Sequence, residues 1–358
     1  MFVAWRDLRF ARGRFILIGS VVALITLLVG FLSGLTGGLA AQNVSAVLAL
    51  PGDRLVFSEP PAGETASGAS FSDSAITEAQ ADAWSTASGV TASVPIGISQ
   101  TRAQSEGTQT AVSIFGVGAG FGADAPSEDG RLVLSEGAAS GLSASAGDTV
   151  TIAGVDYTVA SVRGDGWYSH TPVVFMTLHD WQRYSAATGS AGAFATVLSV
   201  TGDPDWSAVD ANEHTISQTP LGSLTAIGSF RSEIGSLLLM VALLFGISAL
   251  VIGAFFTVWT MQRTGDIAVL KALGASTRSL VRDALGQALV VLVIGVGVGT
   301  GVVAALGMLA GTALPFILSP FTTLLPAVLL IALGLAGAAF ALRSVTSADP
   351  LTALGSNR

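Results

Sequence analysis

A carboxylate and a thioether share one face of a long uncharged segment, and these are the residues best placed to do chemistry. Glu233 directly precedes the uncharged run 234–262. Met240 lies within that run, seven residues after Glu233. On a helix, positions i, i+4, i+7 and i+11 share a face, so Leu237 lies between the two and Leu244 lies beyond them. An ionisable group at the edge of a bilayer indicates a functional site.

A carboxylate with a thioether on the same face could hold a flat, apolar, metal-bearing ring such as haem. In this hypothesis Glu233 and Met240 ligate or flank the iron. In the alternative interpretation, Glu233 is a boundary residue that reaches water, and Met240 only packs.

A second group of candidates surrounds a predicted strand. It consists of Trp167, Tyr168, His170, His179 and Tyr184. The concentration of histidines and aromatic rings is compatible with ligand contact. The favoured interpretation is structural, because Thr177-Leu-His-Asp180 has the pattern of a helix start, with Thr177 as its cap and Asp180 in its first turn.

The sequence lacks the residues that several other kinds of reaction need. There is no Gly-x-x-x-x-Gly-Lys-Ser/Thr loop to cradle phosphates, so the chain is not expected to hydrolyse ATP itself. With no Cys and three His, a thiolate nucleophile, a disulfide framework and a hydrolytic metal site are all disfavoured. We therefore expect no catalytic residue and no intrinsic cofactor, and an energy source that lies in a partner.

The composition indicates a membrane protein. Hydrophobic residues make up 51% of the chain and charged residues 11%, which is too apolar for a soluble protein. Apolar runs long enough to cross about 30 Å of hydrocarbon predict transmembrane helices at 15–41, 233–262, 284–310 and 322–342. A cleaved secretory signal is the alternative for the first, but that run is longer than the roughly 7–15 residues of a signal core.

The remaining segments complete the predicted domain plan. Residues 1–14 have the pattern of a basic amphipathic helix at a membrane surface. Residues 42–232 form one mixed α+β domain, 263–283 a basic loop, 311–321 a short turn, and 343–358 a tail. Residues 59–71, dense in Pro, Gly, Ser and Ala, are predicted to form a surface loop.

The distribution of charged residues along the chain predicts the membrane topology. Residues 41–232 hold nineteen Asp and Glu against six Lys and Arg, whereas the N-terminus has four basic residues, the 262–283 loop four and the tail two. The positive-inside rule then places both termini in the cytoplasm. The predicted fold class is an α-helical membrane protein with four transmembrane helices and one extracellular mixed α+β domain between helices 1 and 2.

Short alternating apolar runs predict the secondary structure of the α+β domain. The predicted strands are 54–58, 108–115, 131–134, 148–152, 157–162, 172–176 and 195–200. The predicted helices are 78–85, 135–141, 178–187 and 206–211. In the basic loop, Gly274 is predicted to end one short helix and Ser276 to cap a second.

Three stretches carry a family resemblance. The run Gln262-Arg-x-x-x-Asp-Ile-Ala-x-Leu-Lys-Ala-Leu-Gly-Ala-Ser276 resembles the signature of FtsX-like, or MacB-type, ABC transporter permeases, with Asp266 where the family usually has Glu. The stretch 132–152 is similar to part of the extracytoplasmic domain of these permeases, and Ala348-Asp-Pro-Leu351 to their C-terminal ending. The alternative for the first stretch is an ordinary basic inner loop.

The resemblance implies a homodimeric permease subunit in the membrane that works with a cytoplasmic ABC ATPase, which holds the ATP and Mg. It implies that the basic loop contacts the ATPase, through Arg263, Asp266, Lys271, Gly274 and Arg278. It also implies that ATP-driven motion is transmitted to the outer domain. No nucleic acid is expected as a partner.

Within this family, the leading candidate is a haem-efflux permease of the HrtB type, with haem or another amphipathic molecule as substrate. The alternatives are a mechanotransmitter that activates an extracellular cell-wall hydrolase, and a lipoprotein-releasing permease. In the family the first two spans line the dimer interface, which implies a substrate site doubled by a two-fold axis. The predicted ligand-binding residues are Phe31, Leu35, Arg231, Glu233, Leu237 and Met240, with Arg231 pairing with haem propionates.

Overall fold

The computed structural model describes residues 12–60, 68–118, 121–122, 125–189, 192–262, 265, 269, 273–311 and 314–346. The chain divides into two compact units. One is a membrane unit of residues 1–38 and 236–358, and the other is an α+β domain, Leu39–Gly235. The predicted amphipathic helix falls mostly at residues 1–11, and Arg263, Asp266 and Lys271 of the basic loop are also outside the described residues, as is most of the tail.

Within the described residues, four helices are long and apolar enough to cross a membrane. They are α1 (Arg12–Leu48), α6 (Gly228–Gln262), α7 (Thr277–Ala310) and α8 (Pro320–Thr346). At about 1.5 Å rise per residue, each exceeds the thickness of the hydrocarbon layer. The four predicted spans are therefore helices in the structure.

The helix ends differ from the predicted ones for a physical reason. Helix α1 continues seven residues past the predicted end at Ala41, and α6 begins at Gly228, five residues before Glu233. The prediction of a separate short helix after Ser276 was wrong, because these residues form the first part of the continuous helix α7. Hydropathy marks only the part of a helix that needs lipid, whereas the helix itself ends where a backbone breaker such as Pro51-Gly52 follows.

Small residues allow close helix crossing inside the membrane unit. A Cβ atom at Gly299 of α7 would lie 2.6 Å from the carbonyl oxygen of Ala23, and one at Gly295 would lie 2.9 Å from that of Gly19. Helices α1 and α7 thus meet backbone to backbone, the arrangement that small residues permit in membranes. The core around this crossing is apolar and includes Val22, Ile252, Phe256, Leu292 and Leu330.

The α+β domain is built on ten strands. They are β1 (Arg54–Ser58), β2 (Val90–Ser105), β3 (Thr108–Val117), β4 (Arg131–Leu134), β5 (Thr149–Ile152), β6 (Val155–Val162), β7 (Trp167–Tyr168), β8 (Thr171–Thr177), β9 (Val197–Gly202) and β10 (Thr215–Gln218). The helices are α2 (Glu78–Thr86), α3 (Glu136–Leu142), α4 (Leu178–Ala187) and α5 (Trp206–Glu213), with a 3-10 turn at Gly222–Ala226.

The strand order joins an open sheet to a closed ring. The order is β10-β1-β9-β2-β3-β8-β4-β6-β5, with β7 added to β8, and β5 pairs back onto β2 at Ala103 and Gln104. Strands β2, β3, β8, β4, β6 and β5 therefore close a six-stranded barrel, while β10, β1 and β9 extend β2 on its other side. The first half of β2 belongs to the sheet and its second half to the barrel.

The sequence did not predict β2, the longest strand. Val90–Ser105 contains Pro95 and Gly97 and has weak apolar alternation, so its strand structure depends on its partners β3 and β9. Strand β10 was also missed. Of the predicted surface loop 59–71, residues 61–67 are outside the described residues, and Phe71 is buried against Phe57, with ring centroids 4.9 Å apart.

Helix α4 covers the point where the sheet and the barrel meet. Its Trp181 side chain, 3% exposed, lies over Gly97 of β2 and Gly116 of β3, where a Cβ atom would collide with it. Its indole nitrogen donates to the Ser99 hydroxyl at 2.9 Å. Two glycines opposite each other on paired strands thus make the space that the indole fills.

Replacing Gly97 with alanine should destabilise the α+β domain, because the added methyl group overlaps the indole ring of Trp181. Overpacking of this kind costs about 1–3 kcal/mol, and each kcal/mol lowers the melting temperature by ~2–4 °C in a domain of this size. Thermal unfolding of the purified full-length chain, followed by tryptophan fluorescence, measures the change. Gly118→Ala is the matched control, since its new methyl group would have its nearest neighbour, Pro95, at 3.7 Å. Equal melting of the two variants would contradict this packing.

Candidate functional site

A polar cluster in the α+β domain joins three distant parts of the chain. It consists of Asn43, Ser169, His170, Ser229 and Glu233, and we call it the Asn43 cluster. Asn43 lies on α1, Ser169 and His170 form the turn between β7 and β8, and Ser229 and Glu233 lie in the first turns of α6. All five residues fall within Leu39–Gly235.

Asn43 is the centre of the cluster and is only 1% exposed. Its side-chain oxygen accepts from the Ser229 hydroxyl at 2.7 Å, and its amide nitrogen donates to Glu233 Oε2 at 3.4 Å. The hydroxyl groups of Ser169 and Ser229 lie 2.8 Å apart. A buried amide is costly unless both of its ends are hydrogen-bonded, and here both ends have partners.

The β7–β8 turn is fixed by the end of α1. The backbone N–H of Ser169 donates to Asn43 O and that of His170 to Gln42 O, each at 3.0 Å. Both turn residues have positive φ angles, 49° for Ser169 and 64° for His170. Two consecutive positive φ angles in a two-residue hairpin loop are the mark of a type I′ turn, for which Asn-Gly is the favoured sequence.

His170 and Glu233 form a close pair. The Nε2 atom of His170 lies 3.0 Å from Oε2 and 3.2 Å from Oε1 of Glu233. The side chains are 32% and 42% exposed, so both can be reached from solvent. The cluster thus presents an imidazole and a carboxylate at the surface, and both contact a buried amide.

The other predicted ligand-binding residues lie on α1 and α6. Arg231 is exposed on α6, and Leu237 and Met240 follow Glu233 on the same helix, with Met240 39% exposed. Phe31 of α1 packs against Phe316, with ring centroids 5.0 Å apart. Leu35 is half-buried. The prediction that these residues share a substrate site stays a prediction.

The two histidines of the second candidate group have different surroundings. Near His179 the predicted helix start was confirmed, since Thr177 Oγ1 accepts from Asp180 N at 3.1 Å at the start of α4. His179 Nδ1 lies 2.6 Å from Asp129 Oδ2. The pKa of Asp129 is below its usual range, first because the Thr177 hydroxyl donates to it and second because His179 does. His170, in contrast, belongs to the Asn43 cluster.

Sequence reasoning missed the partners of Glu233. Asn43 is 127 residues before His170 and 190 residues before Glu233, and no local spacing connects them. The only signal was an amide at the polar end of an apolar run. Among the described residues, no group of three or more His, Cys, Asp or Glu could hold a metal ion.

Part of the predicted coupling loop is described. Gly274 has a φ of 92°, a conformation that glycine adopts at helix ends. Ser276 caps α7, and its hydroxyl accepts from Ser279 N at 3.3 Å, as predicted. Arg278 is exposed in the first turn of α7. Arg263, Asp266 and Lys271 lie outside the described residues.

Replacing Asn43 with alanine should loosen the turn that carries His170. Ser229 and Glu233, which contact Ser169 and His170 of that turn, lose their shared amide partner, and only the two backbone hydrogen bonds from the turn to α1 remain. Removing one member of a buried hydrogen-bonded group costs about 1–3 kcal/mol. Amide hydrogen exchange of the peptide covering 167–171 should therefore become faster. Ser232→Ala is the control, since that exposed hydroxyl bonds only to Ser229 O on its own helix. Exchange at the wild-type rate in Asn43→Ala would count against the anchoring role.

Comparison with known proteins gives two family matches. Residues 13–212 match the MacB-like periplasmic core domain, and residues 238–350 match the FtsX-like permease C-terminal region. Together the two regions cover the first span, most of the α+β domain and most of the last three spans.

Two relatives and two solved structures illustrate the similarity. A protein of Staphylococcus haemolyticus named "Putative hemin transport system permease protein HrtB" is 26% identical over 364 residues, covering 99% of each chain. A protein of the same name from Staphylococcus epidermidis is 24% identical over 366 residues, again covering 99% of each chain.

Each of the two solved structures covers about half of this chain. The periplasmic region of MacB from Actinobacillus actinomycetemcomitans is 11% identical, with a TM-score of 0.36, covering 49% of this chain and 92% of that one. The extracellular domain of the transporter YknZ from Gram-positive bacteria is 16% identical, with a TM-score of 0.34, covering 46% and 98%. From the family matches, this chain belongs to the MacB-like, FtsX-like ABC transporter permeases, membrane proteins with an extracellular α+β domain.

Proposed function

We propose that this chain is the permease subunit of an ATP-driven efflux complex that removes haem, or another amphipathic hydrophobic molecule, from the membrane. The observation that carries the proposal is the similarity to relatives named for hemin transport along 99% of both chains. The similarity includes the spans and the outer domain together, which a match to one common module would not.

A cytoplasmic ABC ATPase supplies the energy in this proposal. The chain has no phosphate-binding loop of its own, so ATP and Mg bind to the partner. The loop 263–283 contacts that ATPase through Arg263, Asp266, Lys271, Gly274 and Arg278. The exposed Arg278 at the start of α7 supports this, because motion of the loop there would pass directly into a membrane helix.

The permease works as a homodimer in which the two copies present the same substrate surface. A two-fold axis doubles every residue of an isologous interface. On α6, Glu233 and Met240 flank the iron, Leu237 contacts the ring, and Arg231 pairs with the propionates through charge-assisted hydrogen bonds. From α1, Phe31 and Leu35 add apolar contact.

ATP-driven motion of the helices then reaches the outer domain and expels the substrate, without an alternating-access cavity through the permease. Helices α1 and α6 each contribute residues to the α+β domain. The Asn43 cluster hydrogen-bonds those two helix ends to each other and to the β7–β8 turn. This connection supports mechanical transmission as the mode of action.

Deleting the gene should make its bacterium sensitive to haem, because the substrate then accumulates in the membrane. Growth in increasing haem concentrations measures the effect, and the wild-type gene should restore tolerance. Lys271→Glu should reach the membrane in equal amount, by immunoblot, yet fail to restore it, since the charge reversal weakens contact with the ATPase.

Other phenotypes of the deletion strain decide between functions. Unchanged haem tolerance together with chains of unseparated cells would refute export and support activation of a wall hydrolase. Unchanged tolerance with lipoproteins retained in the membrane would support lipoprotein release.

The orientation can be tested by labelling, because the native chain has no Cys. The positive-inside rule predicts that both termini and the 263–283 loop lie in the cytoplasm. A membrane-impermeant thiol reagent on intact cells should label Ala79→Cys, on α2, and leave Gly265→Cys unlabelled until the cells are opened. Labelling of Gly265→Cys alone in intact cells would invert the orientation.

A further inference from the structure

We propose that the α+β domain contains a binding site of its own, a polar cavity that takes an uncharged saccharide of one or two rings. The inference goes beyond the proposed function and does not depend on it, because the cavity lies wholly within Leu39–Gly235 and shares no residue with the Asn43 cluster. The cavity has a volume of about 400 Å³, within the range of about 300–1,000 Å³ for small-molecule sites.

The cavity lies where β2 changes partners. On one edge, β2 pairs with β9 as far as Ile96 and with β5 only from Ala103. Between these points that edge has no strand partner among the described residues, and the cavity opens beside residues 98–100. Helix α4, the segment 71–75 and the chain just before β9 supply its other walls. The opening is thus a product of the fold, at the place where the sheet and the barrel part.

Hydroxyl groups dominate the lining of the cavity. Eight of its fifteen lining residues carry one, and the aromatic side chains of Phe71, Tyr168, Trp181 and Tyr184 belong to the lining as well. Asp73 is the charged residue among these fifteen. Hydroxyl groups next to aromatic surface fit a sugar, because a sugar ring has hydroxyl groups at its edge and apolar C–H groups on its faces.

Tyr168 is the strongest sign that a ligand binds in the cavity. It is 7% exposed, yet its hydroxyl has no hydrogen-bond partner among the described residues, since the bonds from Ser113 and Thr171 end on its backbone oxygen. A buried hydroxyl without a partner costs free energy. In the part of the chain that the structure describes, the fully enclosed side-chain atom without a partner is Gln218 Oε1. The Tyr168 hydroxyl is therefore open to solvent, and the cavity is the space that Tyr168 lines.

The lining supplies hydrogen-bond donors that the protein itself does not use. Burial raises the pKa of Tyr168, so its phenol keeps its proton and can donate. The Ser99 hydroxyl accepts from Trp181 Nε1 at 2.9 Å, and its own hydrogen has no acceptor among the described residues. The half-buried Tyr184 hydroxyl makes no hydrogen bond within the same residues. Three donors thus remain for a ligand.

Acceptors are present as well. Asp73 is exposed, and its Oδ2 accepts from the Ser70 hydroxyl at 2.7 Å, which leaves further acceptor capacity on the carboxylate. The Gln100 amide nitrogen donates to Thr171 Oγ1 at 3.1 Å, so the amide oxygen is available. A sugar hydroxyl both donates and accepts, and it can therefore bridge a phenol and a carboxylate. An anionic ligand is disfavoured, because Asp73 would repel it and no cation lies among the described lining residues.

The test uses the full-length permease in lipid nanodiscs, purified without sugar-based detergents, which would compete for the cavity. Cellobiose, maltose and chitobiose are the probes. Binding is measured by tryptophan fluorescence and by saturation-transfer NMR, with empty nanodiscs as the baseline. We expect disaccharide binding, and we expect glucuronic acid to bind less well than glucose because Asp73 repels its carboxylate.

Tyr168→Phe removes the unpartnered hydroxyl and keeps the ring that packs against Phe71 and Phe115. We expect about a tenfold loss of disaccharide affinity, the effect of one hydrogen bond. The melting temperature without sugar should stay the same or rise, since the hydroxyl bonds to no described residue. Tyr157→Phe is the matched control, because Tyr157 is a tyrosine of β6, 4% exposed, outside the cavity lining. It should bind the disaccharide as the wild type does.

Tyr184→Phe repeats the test with a second hydroxyl and should also weaken disaccharide binding. Wild-type affinity in both Tyr168→Phe and Tyr184→Phe would overturn the site. So would a wild type that binds none of the three disaccharides better than empty nanodiscs do. A lower melting temperature of Tyr168→Phe without sugar would overturn it too, because the hydroxyl would then serve the fold.

Isolated cell walls distinguish a wall glycan from a free sugar as the source of the saccharide. Nanodiscs that sediment with purified walls, and are released by the disaccharide, would support a wall glycan. Disaccharide binding without sedimentation would support a free sugar in the same cavity.

Discussion

The arrangement of the extracellular domain on its two helix ends depends on satisfying one buried amide. Asn43 is almost fully removed from solvent, and a primary amide in that position needs an acceptor for its N–H groups and a donor for its oxygen. Ser229 and Glu233 supply them from a helix that begins 185 residues later in the chain. The start of α6, the end of α1 and the β7–β8 turn are therefore joined by hydrogen bonds in and around one side chain.

The membrane part of the fold could be predicted because its determinants are local. An uncharged run of more than twenty residues has few alternatives to a spanning helix, and all four were identified from composition. The exact ends of the helices could not be, since α1 and α6 continue as helix beyond the apolar runs and take part in the α+β domain. Hydropathy contains no information about that continuation.

In the α+β domain, strands with strong alternation and several helices were predicted, including the helix that starts at Ser135 and the cap at Thr177. Strand β2 was not, because Pro95 and Gly97 weaken its local pattern, while pairing with β3, β9 and β5 stabilises it. The candidate site, too, could be predicted only in part. Glu233 was identified from its position at the edge of an apolar run, whereas its contact with His170 depends on the closure of the β7–β8 hairpin, which no spacing in the sequence encodes.

The closed barrel limits how the extracellular domain can aggregate. A sheet edge exposes unpaired backbone groups that can add strands from other chains and begin aggregation. Because β5 pairs back onto β2, the six strands of the barrel form a ring without an edge. On the open side the sheet ends at β10, which has four residues, Thr215–Gln218, and is followed closely by a 3-10 turn and α6. A domain without disulfides, beyond the reach of cytoplasmic chaperones, thus has a topology that itself limits misassembly.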